Sequence, residues 1–148
     1  MTSLCRRAFT LVEILIVVVI LGILAAIVVP QFSNATAEAS ANATFDQLSK
    51  VRRALAVFYV RNGNSFPNIV AGNGIVAWGE LISAPGYLRE APVNLWVGQP
   101  NAEVVITGPT PDPGYQTTHG WIFVDSGPTR GDLWAGSFDA QDSPYPRP

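Results

Sequence analysis

The chain is 148 residues long, with a formal net charge of −2 and a pI near 5.2. This gives no sign of the extended basic face that nucleic-acid binding requires. A single cysteine, Cys5, excludes an intrachain disulfide. Beyond an N-terminal helix of roughly 60 residues, the length allows one small domain with a modest core.

Residues 1–8 end on Arg6-Arg7-Ala8, and from Phe9 to Val29 only Thr10 and Glu13 are plainly polar. At about 1.5 Å per residue a helix over that run is about 31 Å long, the thickness of a bilayer's hydrocarbon core. Its sixteen Leu, Ile, Val and Phe residues, at roughly −0.3 to −0.6 kcal/mol each, outweigh one acid costing at most roughly +3 kcal/mol at a helix centre. Arg6 and Arg7 precede the run and no charge follows until Glu38. The positive-inside rule therefore puts the N-terminus in the cytoplasm and everything after Pro30 outside. An intramembrane carboxylate is a functional residue by default, so Glu13 calls for a partner. A cleavable secretory signal, cut near Ala35-Thr36-Ala37, is the competing reading. The apolar run is long for that, and Glu13 interrupts it early.

The order Ala8-Phe9-Thr10-Leu11-Val12-Glu13, then an apolar run with Gly22, then Pro30, resembles the N-terminus of type IV pilins and type II secretion pseudopilins. The resemblance implies that a membrane prepilin peptidase cuts between Ala8 and Phe9 and N-methylates Phe9. It also makes Glu13 the acid at the fifth mature position. Ala8 stands where the family usually has Gly. The partner implied for Glu13 is the amine of Phe9 on a neighbouring subunit. Pairing the two in low dielectric would fix the axial step between copies and offset part of each desolvation cost. Snorkelling of Glu13 to the headgroups is the alternative.

Pro30 cannot donate to the Ala26 carbonyl, yet helical signal resumes directly after it. The resemblance implies a helix kinked at Gly22 and Pro30 rather than ended there. Phe45, Leu48, Val51, Leu55 and Phe58 recur at three- and four-residue steps, and Asn62-Gly63-Asn64 supplies a stop after Arg61. One helix is thus expected from Phe9 to about Arg61. Its apolar first half covers 9–30 and its amphipathic second half 31–61, the latter packed on a domain.

Eleven of the twelve prolines and all four tryptophans lie beyond Asn62, which marks residues 62–148 as a turn-rich globular part. A short helix is expected at Trp78–Ser83, and strands at Glu103–Thr107, Gly120–Val124 and Leu133–Phe138. Their local connectivity suggests a small antiparallel sheet laid on the amphipathic half of the helix, an α+β pilin fold. The order Phe58-Tyr59, Asn62-Gly63, Phe66-Pro67, Tyr87-Leu88, Pro92 and Trp96 is similar to the major pseudopilin. There Pro-x-Asp-Pro-Trp-Gly is usual, where this chain has Pro92-Val93-Asn94-Leu95-Trp96-Val97-Gly98.

No catalytic constellation stands out. The one histidine, His119, reads as a turn or surface residue rather than a base. Hydrolase elbow, phosphate-loop and zinc-peptidase motifs are missing. Asp125, Asp132, Asp139 and Asp142 could gather around calcium, and the resemblance adds a calcium site near the C-terminal strands. Their spacing is not that of an EF-hand, and solvated turn aspartates are the commoner use. No cofactor is expected. Trp121 and Trp134 read as core rather than as a carbohydrate platform.

The sequence thus points to a non-enzymatic filament subunit, a type II secretion pseudopilin, with a type IV pilus subunit as the alternative. Its partners would be copies of itself, other pilin-like subunits, the prepilin peptidase and an inner-membrane assembly platform. Before assembly it would sit in a bacterial inner membrane, crossing it once. A reading of another class is a signal-anchored outer domain that binds a ligand and never polymerises.

Overall fold

The computed structural model describes residues 9–70, 77–83 and 87–148. The expected leader, residues 1–8 with Cys5, Arg6, Arg7 and Ala8, lies outside the described residues. Helix α1 runs from Leu11 to Arg61 and contains Pro30. The chain divides into two compact units between Ala37 and Glu38, so α1 contributes to both.

In the first unit, every residue from 9 to 36 is exposed. Val17, Val18, Val19 and Ile20, which step round the whole helix, are each half or more accessible. A helix apolar on all sides is stable only in lipid or among other helices, and this one is long and apolar enough to cross a membrane.

In the second unit, α1 buries Thr44, Leu48, Val51, Ala54 and Leu55. The expected stripe begins one residue too late: Phe45 is 46% exposed, while Thr44 is fully buried. The Thr44 hydroxyl donates to the Ser40 carbonyl at 2.9 Å and accepts from the Trp96 amide at 3.1 Å. A satisfied hydroxyl can enter a core that periodicity alone would fill with the aromatic ring. The helix ends as expected, with the Asn62 and Asn64 amides bonding the Phe58 and Tyr59 carbonyls and Gly63 and Asn64 in the left-handed region.

Helix α2 spans Gly79–Ser83. Strands β1 (Val105–Thr107), β2 (Trp121–Phe123) and β3 (Leu133–Ala135) form one sheet in the order β1-β2-β3. The α+β layout stands, with one correction. β2 and β3 pair antiparallel, but β1 and β2 pair parallel, Val105 opposite Trp121 and Thr107 opposite Phe123. Residues 108–120 provide the dozen or so positions that a parallel return needs. The strands are also shorter than expected, because the backbone of residues 136–138 turns away. The core contains Trp121, fully buried and edge-on to Trp78 at 6.0 Å, and Phe138 edge-on to Trp96 at 6.4 Å. Trp134, expected in the core, is only half-buried.

Candidate functional site

The first turn of α1 carries the candidate site. Phe9, 78% exposed, precedes the helix. Thr10 and Glu13 close a reciprocal cap. The Glu13 amide donates to the Thr10 hydroxyl at 3.2 Å, and the Thr10 amide and hydroxyl both donate to Glu13 Oε2 at 3.0 Å. This is the Thr-x-x-Glu capping box, which satisfies orphan amides at a helix start. It fixes the carboxylate among Val12, Ile14 and Ile16, all more than half exposed. Both cap bonds fall on Oε2, so among the described residues Oε1 has no hydrogen bond and can take a donor from another molecule. Sequence reasoning singled out Glu13 and passed over Thr10, although the three-residue spacing was the signal.

Gly22 and Pro30 lie farther along the same helix. A Cβ at Gly22 would meet nothing within 4 Å, so nothing packed within this chain requires glycine there.

The acidic residues of the second unit are dispersed in use. Asp142 pairs with Arg52, Asp139 accepts the Gln141 and Ser143 amides, and Asp125 accepts the Ser126 hydroxyl. Asp132 is exposed. Among the described residues no group of three or more His, Cys, Asp or Glu is placed to hold a metal.

Two polar networks escaped sequence reasoning. His119 is not at the surface: it is 7% exposed, with Nε2 3.2 Å from Asp112 Oδ1 and Nδ1 3.0 Å from the Thr118 hydroxyl. The other Asp112 oxygen accepts from Gln116 Nε2 and the Ser137 amide, both at 2.7 Å. The group is buried because it folds the 108–120 connection back against β3. Asn94, fully buried, uses its whole side chain. Its Oδ1 accepts from the Trp96 amide at 2.9 Å, the Val97 amide at 3.0 Å and the Thr44 hydroxyl at 3.3 Å. Its Nδ2 donates to the Gly120 and Gly136 carbonyls at 2.8 and 3.0 Å. The departure from the usual motif at Asn94 was the available signal.

Comparison with known proteins places the chain's N-terminal region beside known sequences. The prokaryotic N-terminal methylation motif matches residues 4–29, which include Ala8, Phe9, Thr10 and Glu13. The chain is 35% identical to the type II secretion system core protein G of Pseudomonas aeruginosa over 103 residues, 62% of this chain and 68% of that protein. It is 32% identical to the core protein G of Klebsiella pneumoniae over 103 residues, 62% of this chain and 69% of that one. Over 50 residues it is 40% identical to the type IV major fimbrial protein FimA of Dichelobacter nodosus, 34% of this chain and 32% of that protein. No solved structure matches the chain at a significant level.

Proposed function

The chain belongs to the family of the type II secretion system core protein G, and from that premise we propose that it is a non-catalytic pseudopilin, polymerised through its N-terminal helix. The observation that carries this reading is the pairing of an apolar helical run, exposed on every side up to residue 36, with one oriented carboxylate, Glu13, in its first turn. The alignment to core protein G extends over 103 residues, against 50 for the fimbrial protein, which favours secretion over a pilus.

In this mechanism Arg6 and Arg7 hold the N-terminus in the cytoplasm while 9–30 spans the inner membrane. A prepilin peptidase hydrolyses the Ala8–Phe9 bond with a water, and the freed Phe9 amine then takes a methyl group from a methyl donor and loses a proton. The new cation cannot stay unpaired in an apolar setting at low cost. Glu13 Oε1 of a neighbour is the acceptor, and joining the two sets the step between copies. Leaving lipid for a bundle of identical helices exchanges one apolar setting for another, so burial gives little net drive. Assembly therefore draws on the membrane platform, and the Phe9–Glu13 pair supplies register. Gly22 and Pro30 are points where the helix can bend as it makes that exchange.

Mass spectrometry of the N-terminus of protein extracted from membranes tests the reading. A chain starting at methylated Phe9 is the expected result. A start at Glu38 would mean ordinary signal cleavage and an intact Met1 a plain anchor, and either overturns it.

A further inference from the structure

Among the described residues of the second unit, two of the pockets beside α1 differ in their charged lining. Lys50, Arg53 and Val57, at three- and four-residue steps, line one of about 320 Å³ together with Tyr87 and Arg89. Arg52, Tyr59 and Val60 line another of about 520 Å³ with Asp132 and Trp134.

The first pocket is cationic. Lys50, Arg53 and Arg89 are exposed on its wall, and Arg61 stands 5.9 Å over the Tyr87 ring that lines it. Beyond Arg7 the chain has seven basic and eleven acidic side chains, and four of those seven gather here. Among the described residues, none of Lys50, Arg53 and Arg89 makes an ion pair. The nearby acids in sequence, Asp46 and Glu90, leave them unpaired. Three like charges around one small pocket repel each other, and an anion from outside relieves this.

The second flank carries one carboxylate, Asp132, beside Arg52, whose own partner is Asp142. Asp132 is exposed on its wall. The Val124 amide donates to the Asp132 carbonyl at 3.0 Å and the Gly131 amide to the Val124 carbonyl at 2.8 Å. Asp125 and Asp132 thus stand at the same end of the β2–β3 turn, and both are exposed. Arg130 lies in that turn, and among the described residues only Asp142 of the four acids from Asp125 to Asp142 is already paired, with Arg52.

Opposite charges on different flanks of one subunit suit a heterologous contact, which repeats into an open helical array rather than closing as a dimer. We propose that the cationic pocket of Lys50, Arg53 and Arg89 docks the acidic β2–β3 turn, with Asp125 and Asp132, of a second copy of this chain. The inference rests on the filament reading and adds to it a contact between globular parts, independent of the Phe9–Glu13 pair. Charge pairing of this kind gives specificity and register, and salt weakens it.

The test uses the full chain with Cys5→Ser, in cells that assemble the filament. Arg89→Cys and Asp132→Cys are expressed separately and together, then oxidised. Each substitution leaves neighbouring charges, Lys50 and Arg53 or Asp125, to hold the contact. A disulfide-linked dimer only when both variants are present is the expected result. Dimers from one variant alone would mean that a patch meets itself, and they overturn the proposal. No cross-link where wild-type filaments are seen by electron microscopy overturns the contact and leaves the filament reading standing. A cross-link without wild-type filaments supports the contact and removes the filament reading, and absence of both removes both. As a second measurement, Arg53→Glu with Arg89→Glu lowers filament yield about tenfold, and adding Asp125→Lys with Asp132→Lys restores it. Loss without restoration would mean that the pocket serves some other anion, and the proposal fails.

Discussion

Arg52 and Asp142 form a two-pronged pair that ties α1 to the C-terminal tail. Nη1 donates to Oδ2 at 2.5 Å and Nη2 to Oδ1 at 2.9 Å. The same guanidinium donates from Nε and Nη2 to the Leu133 carbonyl at 3.0 and 2.8 Å, so one side chain joins the helix, β3 and the tail. Bidentate charged bonds are the strong kind, but the Arg52 side chain is 39% exposed, which screens them. Arg52→Ala should cost about 2 kcal/mol, lowering the melting temperature by about 8 °C in detergent. A drop below about 2 °C would mean that water replaces all four bonds.

Asn94→Asp tests the buried hub from the other direction. The substitution keeps the acceptor facing Thr44, Trp96 and Val97 but turns the Nδ2 donor into an oxygen facing the Gly120 and Gly136 carbonyls. A buried charge against two carbonyl oxygens should cost about 3 kcal/mol or more, read as a lower urea midpoint with an unchanged slope. Wild-type stability in the variant would mean that the carboxyl is neutral or hydrated there.

Gly120→Ala should prevent proper folding of the second unit. An added Cβ would run into the Ala102 carbonyl oxygen, a backbone atom that cannot move aside. A loss of about 3 kcal/mol or more is expected. Gly22→Ala is the control: with open space around it, the melting of the second unit should not change. Equal effects of the two would contradict the steric account.

Thr10→Val removes the hydroxyl that orients Glu13 and keeps the shape of the side chain. Membrane insertion should persist while filament yield falls about fivefold, the equivalent of one net hydrogen bond. Glu13→Ala should insert and assemble far less. Normal filaments from Glu13→Ala would remove the pairing with Phe9, and normal yield from Thr10→Val would remove only the orienting role.

Calcium removal should leave the second unit unaffected. Asp139 and Asp142 are engaged by amides and by Arg52, and no metal-holding group forms among the described residues. Addition of a chelator should shift the melting temperature by less than about 1 °C; a larger fall, reversed by added calcium, would reinstate the site.

The sequence by itself determined the long helix, its apolar first half, its stop at Asn62-Gly63 and the order Phe9-Thr10-Glu13. These are local or periodic features: bilayer length, helical period and capping chemistry act over a few residues and need no distant partner. The α+β class was legible for the same reason, since β-branched runs and turn residues mark strands whatever they pair with. The tertiary structure alone decided that β1 runs parallel to β2, because the direction of a strand depends on where residues 108–120 return. It also decided that Thr44 rather than Phe45 faces the core, that His119 is buried against Asp112, and that Asp142 meets Arg52. Each of these joins residues through partners chosen by packing, and a hydrogen bond that spans 90 positions leaves no period in the chain to read.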